Sequence, residues 1–379
     1  MPDFNANAVK IIDTKSHEKV FCYEDPDLKY QAIIALHSTK LGPAAGGCRL
    51  RHYDSFADAL YDALRLAEGM SYKNSLAGIP YGGGKAVIIP PVDPNFDRKK
   101  LFQSFGKFVA SLAGKYYTAE DMGTSVPDIV TVSETCQYVI GMPKEQGGCG
   151  DPSPYTALGV YHGMRAAVEN VYGVADLKNR TVMIQGAGHV GYYLAQILAA
   201  ADAKILIADT HPERAEVIVK EFKATAVSSD DVFNQRFDIF APCAVGGILN
   251  DRTATLLNCS IIAGGANNQL SEPGVEQILN KRNILYTPDF AVNAGGIIAC
   301  VDQHAAGGFN DERVKDRVKK IYDTIKMIYK EASLRHLTPG QVANKLAEER
   351  IHLSQKPLPT GVTSDQVKSP MAMLYDLPM

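Results

Sequence analysis

The second half of the chain alternates short apolar runs with segments whose apolar residues recur at helical spacing. Short, continuous apolar strands separated by helices are typical of a parallel sheet that helices cover on both faces. This pattern predicts a doubly wound α/β domain. Its predicted strands cover residues 181–185, 203–209, 237–242, 260–265 and 283–288.

The first part of the chain mixes strands and helices in a less regular order. Short apolar runs predict strands there, and apolar residues three and four positions apart predict helices. Together they predict another α/β domain. The predicted strands cover residues 31–37, 85–90 and 116–121, and the predicted helices cover residues 55–70 and 101–114.

A Gly- and Pro-rich segment, residues 141–154, separates the two parts and predicts a domain boundary near residue 150. Further along, the spacing of apolar residues follows one face of a single helix, and residues 338–353 form another predicted helix. The tail after Gln355 contains several prolines and has no periodicity, which is consistent with a mobile end or a strap over a neighbouring subunit. The apolar residues of the single predicted helix are Val314, Val318, Ile321, Ile325 and Ile328.

Composition limits the class of protein. The chain has 379 residues, of which 46% are hydrophobic and 21% charged, so it is long enough for two globular domains. The formal net charge is −3 with acidic and basic residues interleaved, which gives no indication of nucleic-acid or membrane binding. No apolar run reaches the ~20 residues of a membrane helix, and the N-terminal residues lack a secretory signal pattern.

The seven cysteines are scattered along the chain without a C-x-x-C pair. Their odd number argues against a disulfide framework, and no His/Cys cluster has the spacing of a zinc site. We therefore expect reduced thiols, no metal ion and a cytoplasmic location.

Gly186, Gly188 and Gly191 form a G-x-G-x-x-G motif between a predicted strand and a predicted helix, and Asp209 ends the next strand. This arrangement is the fingerprint of dinucleotide binding, because the glycines admit the pyrophosphate and the acidic side chain binds the adenine ribose. The alternative is a glycine-rich turn in a plain doubly wound sheet. Asp209 would repel a 2′-phosphate and so favours NAD over NADP, whereas Arg214 argues for NADP.

Lys85 follows three consecutive glycines, residues 82–84, and opens a buried strand. These residues are not a phosphate-binding loop, because Ala86 has no hydroxyl for a magnesium ion. A buried lysine beside a second cation such as Lys73 can act as a base, with a substrate lying against the glycine backbone. Asp121 can exchange a proton with an amine. The alternatives are a solvated helix-end cation for Lys73 and a turn or cap residue for Asp121.

The motifs, taken in order, resemble those of the amino-acid dehydrogenases that oxidatively deaminate leucine, valine, phenylalanine or glutamate. The resemblance runs from about residue 18 to residue 355 and is greatest to the leucine (branched-chain) dehydrogenases. So many matches in one order are more specific than any single motif. The matching segments are LGPAAGGCR (41–49), DALRLAEGMSYKN (62–74), GGGKAVI (82–88), TAEDMGT (118–124), PSPYTALGV (152–160), FAPCAVGGILN (240–250), IAGGANNQL (262–270), YTPDFAVNAGG (286–296) and LAEERI (346–351).

The resemblance implies a role for each matching residue. Lys73 corresponds to the lysine that holds the substrate α-carboxylate, Lys85 to the low-pKa lysine that activates water, and Asp121 to the carboxylate that handles the amino group's proton. Gly42 falls at a contact with the substrate backbone, and Asn267, or its neighbour Asn268, near the substrate and the nicotinamide. The implied reaction converts an L-amino acid, NAD⁺ and water reversibly to a 2-oxo acid, ammonium and NADH.

The resemblance also implies a side-chain pocket and cofactor contacts. The pocket residues are all apolar, which implies leucine, isoleucine or valine as the substrate. Phenylalanine or tryptophan is the alternative. Ile297 and Cys300 differ from the paired valines typical of the leucine enzymes, which alters the outline of the pocket. The implied pocket residues are Leu41, Ala119, Ile297 and Cys300. The implied cofactor contacts beyond the glycines are His189, Val190, Thr156, Pro242, Cys243 and Asn267.

The implied fold has two α/β domains with a cleft between them. Residues 1–150 form an N-terminal substrate and oligomerisation domain on which residues 336–379 pack back, and residues 151–335 form a Rossmann NAD-binding domain. Members of the family are usually homo-oligomers, so we expect a homo-oligomer with small-molecule substrates. A non-catalytic NAD-binding protein of the same fold is the alternative, against which Lys73, Lys85 and Asp121 argue.

Overall fold

The computed structural model describes residues 8–353. Its contacts divide the chain into two compact units, with divisions after Val139 and after Asn344. The first unit comprises the residues before the first division and those after the second, and the second unit comprises residues 140–344. The predicted tail after Gln355 lies outside the described residues.

The second unit is longer at both ends than the domain expected over residues 151–335. At its start, the backbone N–H groups of Gly141 and Met142 donate to Oε1 of Gln303 at 3.0 and 3.1 Å. At its end, the backbone N–H of Gly340 donates to Glu276 at 2.7 Å. These bonds hold both border segments within the second unit.

Strands and helices account for most of the described chain. The strands are β1 Lys10–Ile12, β2 Lys19–Asp25, β3 Tyr30–Ser38, β4 Ala44–Leu50, β5 Gly82–Ile89, β6 Tyr116–Glu120, β7 Thr181–Gln185, β8 Lys204–Ala208, β9 Thr225–Ala226, β10 Ile239–Pro242, β11 Ile261–Ile262 and β12 Leu285–Tyr286. The helices are α1 Phe56–Leu76, α2 Arg98–Ser111, α3 Val126–Ser133, α4 Ser153–Tyr172, α5 His189–Ala200, α6 Pro212–Phe222, α7 Asp251–Leu256, α8 Val275–Lys281, α9 Asp289–Val292, α10 Gly295–Asp302, α11 Asp311–Lys319, α12 Ile321–Arg335 and α13 Pro339–Leu353. Within residues 8–353, no helix has the length and apolar character needed to cross a bilayer.

The first unit contains a six-stranded mixed sheet in the order β1-β2-β3-β5-β4-β6. The first three strands and β5 pair antiparallel, whereas β4 runs parallel to both β5 and β6. The carboxyl ends of β4, β5 and β6 therefore lie along one edge of the sheet. Cys48 is level with Ala86 on one side and with Glu120 on the other, and this register aligns the side chains described below.

Helix α1 covers one face of this sheet. The hydroxyl oxygen of Ser55 accepts a hydrogen bond from the backbone N–H of Asp58 and so caps the start of the helix. The alanines of α1, at positions 59, 63 and 67, pack on Ile33 of β3 and Val87 of β5. Because these side chains are small, the helix axis can approach the sheet closely.

The three glycines at the start of β5 are buried beneath this helix and beside neighbouring strands. A Cβ on Gly82 would lie 1.9 Å from the carbonyl oxygen of Ser38, and a Cβ on Gly83 would lie 2.0 Å from the backbone nitrogen of Ser71 in α1. The interpretation of these glycines as a wall open to substrate is therefore wrong. Their missing side chains make room for other parts of the protein.

The second unit contains a six-stranded parallel sheet in the order β12-β11-β10-β7-β8-β9. Strand β7 pairs with both β8 and β10, so the chain builds outward on one side of β7 and then on the other. This is the strand order of doubly wound dinucleotide-binding domains, whose ligands bind beyond the carboxyl ends of the strands at the point of reversal. The prediction of a doubly wound parallel sheet is confirmed.

Two helices occupy the region in which the apolar spacing predicts one. Lys320 separates α11 from α12, and its backbone N–H donates to the carbonyl oxygen of Arg317 at 3.1 Å. This i→i−3 bond is a tighter turn than an α-helix makes. The prediction of a single helix is wrong at this point, although all five apolar residues on which it rests are buried.

Candidate active site

Two predicted catalytic residues of the first unit meet beside the carboxyl end of β6. Lys85 lies on β5, and Asp121 directly follows β6. The Lys85 ammonium nitrogen is 3.0 Å from Oδ2 of Asp121, and the two side chains are 6% and 20% exposed. The register of β4 with its two neighbours puts both side chains on the face that α1 covers. Lys85 and Asp121 thus form a buried ion pair with limited solvent access.

Arg49, near the end of β4, is the second cation on Asp121. Its Nε donates to the same oxygen, Oδ2, at 3.0 Å. Burial raises the pKa of Asp121, but the charges and hydrogen bonds of Lys85 and Arg49 outweigh burial and lower this pKa to about 2. Asp121 is therefore a carboxylate at neutral pH.

Arg49 is itself held by an acidic residue of α1. Its NH1 donates to Oδ2 of Asp62 at 2.9 Å, and the hydroxyl of Tyr53 donates to that oxygen at 2.7 Å. Arg65 binds the other oxygen of Asp62 from the more exposed side, at 3.2 Å. Burial raises the pKa of Asp62. The hydrogen bond from Tyr53 and the charge of Arg49 lower this pKa by more, so it lies below its usual value. A continuous chain of contacts therefore runs from Lys85 to Tyr53.

The other predicted substrate residues of the first unit lie at different places around its sheet. Ala119 is buried on β6 level with Gly47, and a Cβ on Gly47 would lie 2.8 Å from the Cβ of Asp121, so the glycine makes space for the Asp121 side chain. Lys73 lies in the last turn of α1, and Leu41 is half-buried just before β4. Gly42 has a φ of 138°, and a Cβ there would lie 2.2 Å from the carbonyl oxygen of Pro80. Only glycine suits that backbone position.

In the second unit, the glycine motif joins β7 to α5. Gly186 has a φ of 107°, and a Cβ on Gly191 would lie 1.9 Å from the Gly186 carbonyl oxygen, so α5 packs tightly against the turn. A Cβ on Gly188 would meet no atom within 4 Å, which leaves open space at the N-terminus of α5. Open space in front of helix N–H groups is what a pyrophosphate requires. These glycines fit the three positions of a dinucleotide-binding turn.

Asp209 follows β8 and lies beside this turn. Its carboxylate accepts hydrogen bonds from the backbone N–H groups of Ala187, at 2.7 Å, and His211, at 2.8 Å. A cavity of about 240 Å³ adjoins the turn, and its lining includes Gly188, His189 and Arg214. The structure thus brings Asp209 to the glycine motif, as the dinucleotide interpretation requires, with a cationic side chain on the cavity wall.

Further predicted cofactor residues lie at the end of β10. Pro242 ends the strand, and the backbone N–H of Cys243 donates to Gln185 at the end of β7, at 2.7 Å. Burial raises the pKa of the Cys243 thiol to about 11, so it is uncharged at neutral pH. A Cβ on Gly265 would lie 2.6 Å from Val190 and 3.7 Å from the Cys243 sulfur, so these two residues flank the same gap.

Asn267 is exposed at this end of the sheet, and its Oδ1 accepts a hydrogen bond from Nδ2 of Asn293 at 2.7 Å. Asn293 is buried, and its own Oδ1 has no hydrogen-bond partner within residues 8–353. The sequence segment PDFAVNAGG contains Asn293, but the pattern assigned it no role. The neighbouring Asn268 has a φ of 52°, a turn conformation that asparagine tolerates.

The remaining predicted residues lie on α4 and α10. Thr156 donates its hydroxyl to the carbonyl oxygen of Pro152 at 3.3 Å, close to the start of α10. Ile297 is half-buried on α10, and Cys300 is buried one turn further along with its sulfur 3.8 Å from that of Cys149. Cys300 therefore packs against a second thiol in place of an aliphatic side chain.

Two family models match the chain. Residues 17–138 match the model for the "Glu/Leu/Phe/Val dehydrogenase, dimerisation domain", and residues 206–356 match the model for "Glutamate/Leucine/Phenylalanine/Valine dehydrogenase". The chain belongs to this family.

Relatives of this dehydrogenase extend over nearly its whole length. It is 43% identical to a leucine dehydrogenase of Geobacillus stearothermophilus, an alignment that covers 92% of this chain and 94% of the relative. It is 44% identical to a valine dehydrogenase of Streptomyces coelicolor, over 89% of this chain and 93% of the relative. The crystal structure of L-tryptophan dehydrogenase from Nostoc punctiforme superposes with a TM-score of 0.79 at 40% identity, covering 90% of this chain and 98% of that one.

The sequence pattern does not single out Arg49 and Asp62 of the dehydrogenase as site residues. Asp62 can be recognised from the sequence as unusual, because it is a charged residue on the alanine-lined face of a predicted helix. Arg49 closes the matching segment LGPAAGGCR, but nothing in the spacing connects it with Asp121. In the part of the chain that the structure describes, no cluster of three or more His, Cys, Asp or Glu side chains could hold a metal ion.

Proposed function

We propose that this dehydrogenase catalyses the reversible, NAD-dependent oxidative deamination of leucine, isoleucine or valine to the 2-oxo acid and ammonium. The observation that carries the proposal is the buried ion pair of Lys85 and Asp121, 3.0 Å apart, in the unit that matches the family's N-terminal model. The reaction needs one group that assists water and one that moves the protons of an amine. A lysine and a carboxylate in contact supply both.

Each side chain of the first unit has a separate role in this proposal. Lys73 binds the α-carboxylate of the amino acid and fixes its orientation. Lys85 accepts a proton from the water that adds to the imine carbon. Asp121 then relays this proton from Lys85 to the nitrogen of the carbinolamine, which collapses to the 2-oxo acid while the hydroxyl proton leaves with the nitrogen as ammonium. Because Asp121 is ionised, it can also hold the ammonium form of the substrate before the reaction begins.

The second unit binds the cofactor in this proposal. NAD⁺, when bound, supplies the acceptor for the hydride that leaves the substrate Cα. The glycine turn and the N-terminus of α5 hold the pyrophosphate, while Asp209 accepts hydrogen bonds from the adenine ribose. Thr156, Pro242 and Cys243 bind the nicotinamide end. Asp209 would repel a 2′-phosphate, and it lies next to the turn, which supports NAD over NADP in spite of Arg214.

The preference for a branched-chain substrate rests on the apolar pocket residues and on relatives named leucine and valine dehydrogenase. The pocket residues of the proposal are Leu41, Ala119, Ile297 and Cys300, with Gly42 and Asn267 at the substrate backbone. The aromatic alternative draws support from the structure named L-tryptophan dehydrogenase. We also propose that the enzyme is a homo-oligomer, in line with the matched dimerisation-domain model, and that it works in the cytoplasm.

The test of substrate and cofactor is NADH formation with a panel of L-amino acids, each assayed with NAD⁺ and NADP⁺. We expect the highest kcat/KM with leucine, isoleucine or valine and NAD⁺. One methylene changes such a preference by about 1–3 kcal/mol, so the three branched-chain substrates will differ less from one another than from glutamate. If kcat/KM is higher for phenylalanine or tryptophan than for all three branched-chain substrates, the proposed branched-chain substrate is wrong and the aromatic alternative is correct.

The test of the catalytic pair is Lys85→Met, which keeps a long side chain in the buried position and removes the charge. We expect turnover to be lost while NADH binding, measured by fluorescence, is retained. Lys100→Met is the matched control, because the Lys100 side chain is 63% exposed and lies on α2 of the same unit. Full turnover in Lys85→Met would reject the proposed role of Lys85.

A further inference from the structure

Both cations on Asp121 bind the same carboxylate oxygen. Nε of Arg49 and Nζ of Lys85 each lie 3.0 Å from Oδ2. Among the hydrogen bonds of the described residues, none is made to Oδ1 of Asp121. The carboxylate therefore has one oxygen that is fixed by the protein and one that is left for a ligand.

Arg49 is held rigidly in this position. Its side chain is 12% exposed, and its guanidinium spans two carboxylates, with Nε on Asp121 and NH1 on Asp62. Tyr53 donates to the same oxygen of Asp62 that Arg49 binds. A planar guanidinium reaches the two carboxylates from two different nitrogens in a fixed geometry, whereas a lysine would have to make both contacts from a single nitrogen.

The charges of the cluster balance when Lys85 is neutral. Without Lys85, the cluster contains two cations, Arg49 and Arg65, and two carboxylates, Asp62 and Asp121. When Lys85 gives up its proton, Asp121 loses one of its two cationic partners but retains Arg49, which does not lose its proton in proteins. The remaining cation keeps the buried carboxylate from retaining the proton that it passes to the substrate nitrogen.

We propose that Arg49 is a positioning residue for the deamination reaction: it fixes Oδ2 of Asp121 and keeps this carboxylate ionised while Lys85 exchanges its proton, so that Oδ1 faces the substrate amino group. Asp62 and Tyr53 act one step further away by holding Arg49. The inference rests on the function proposed above, because it concerns the same ion pair.

The experiment compares Arg49→Lys, Arg49→Ala and Asp62→Asn with the unaltered chain. We expect kcat to fall about 100-fold in Arg49→Lys, the loss associated with a reacting group displaced by ~1 Å, with little change in KM. Asp62→Asn, which loosens Arg49 without touching Asp121, is expected to lower kcat by a smaller factor. Arg335→Gln is the matched control, because Arg335 is 37% exposed, pairs with Glu331 on α12 and lies outside the cluster.

Chemical rescue separates positioning from a merely structural role. A cavity of about 290 Å³ is lined by Asp62, the carboxylate that Arg49 binds, so we expect a guanidinium ion to reach Asp62 from this side in Arg49→Ala. Millimolar guanidinium chloride is expected to restore kcat in that variant, whereas sodium chloride at equal ionic strength is not. A folded Arg49→Ala that guanidinium does not rescue, or an Arg49→Lys with the unaltered kcat, would overturn the inference.

The design keeps this inference distinct from the proposed function. Thermal unfolding and NADH binding report whether each variant is folded. If Arg49→Ala is not folded, the kcat values of Arg49→Lys and Asp62→Asn test the positioning role of Arg49. An unaltered chain that forms no NADH with any amino acid rejects the proposed function and the inference together. An active unaltered chain with equally active variants at Arg49 rejects the inference alone.

Discussion

Replacing Gly83 with alanine tests whether the glycines of β5 serve packing. The new Cβ would lie 2.0 Å from the backbone nitrogen of Ser71 and 2.4 Å from its Cα, both in α1. Neither atom belongs to a flexible side chain that could turn away. The substitution therefore requires α1 and β5 to move apart, and it cannot be absorbed by a rotamer change.

The size of the effect follows from that geometry. Ordinary contacts of a Cβ begin near 3.4 Å, so the separation from the Ser71 nitrogen must grow by the difference from 2.0 Å, about 1.4 Å. Overpacking of a core by a methyl group costs roughly 1–3 kcal/mol. A loss of this size lowers the melting temperature by about 2–4 °C per kcal/mol in a domain of comparable length. Since Lys73 lies two residues after Ser71, the same movement is expected to raise KM for the amino acid.

The assay is thermal and urea-induced unfolding at one protein concentration, followed by steady-state kinetics and NADH binding. Gly69→Ala is the matched control, because Gly69 lies within α1 and a Cβ there would meet no atom within 4 Å. Alanine in place of glycine inside a helix stabilises by about 1 kcal/mol, so the two variants should differ in sign. A Gly83→Ala protein as stable as the unaltered chain would refute the packing interpretation.

Two further predictions concern the second unit. Burial and the charge of Arg165 lower the pKa of His162 to about 4, below its usual 6.5. The folded state therefore binds fewer protons than the unfolded state, and roughly 3 kcal/mol of stability is lost as pH falls from 6.5 to 4. In His162→Leu, the urea midpoint should change less between pH 7 and pH 4.5 than it does in the unaltered chain. An unchanged pH dependence would contradict this. Gly191→Ala should lower both the melting temperature and the NADH affinity, since its Cβ would lie 1.9 Å from the carbonyl oxygen of Gly186. Gly188→Ala should lower only the NADH affinity, because its Cβ would meet no atom of the protein. Equal melting temperatures in the two variants would count against the roles assigned to these glycines.

The sequence predicts a strand correctly where an apolar run begins and ends at the same residues as the strand. Strand β7 covers the predicted residues 181–185, because a central parallel strand is apolar on both faces and ends where its apolar run ends. Strand β4 was not predicted, because AAGGCRL contains two glycines and has no clear alternation. Its place between β5 and β6 depends on contacts that are distant in the sequence. Such pairings leave no local pattern.

The candidate site was predictable only in its individual residues. Lys85 and Asp121 were identified, but their contact depends on the parallel pairing of β4 with both β5 and β6, which the pattern did not predict. The glycines before Lys85 were assigned to the substrate because the sequence does not show that α1 covers them. Asp209 was easier to place, since its distance from the glycine motif is set by one strand–helix–strand unit.

The cluster around Arg49 explains why a charged residue interrupts the alanine face of α1. Burying ion pairs is a poor way to stabilise a fold, because desolvation of the charges offsets most of their attraction. An apolar residue at position 62 would pack beneath α1 at less cost than the 12%-exposed carboxylate of Asp62. The acidic residue is therefore better explained by what it holds. It fixes Arg49, Arg49 fixes one oxygen of Asp121, and the chemistry of the site uses the other.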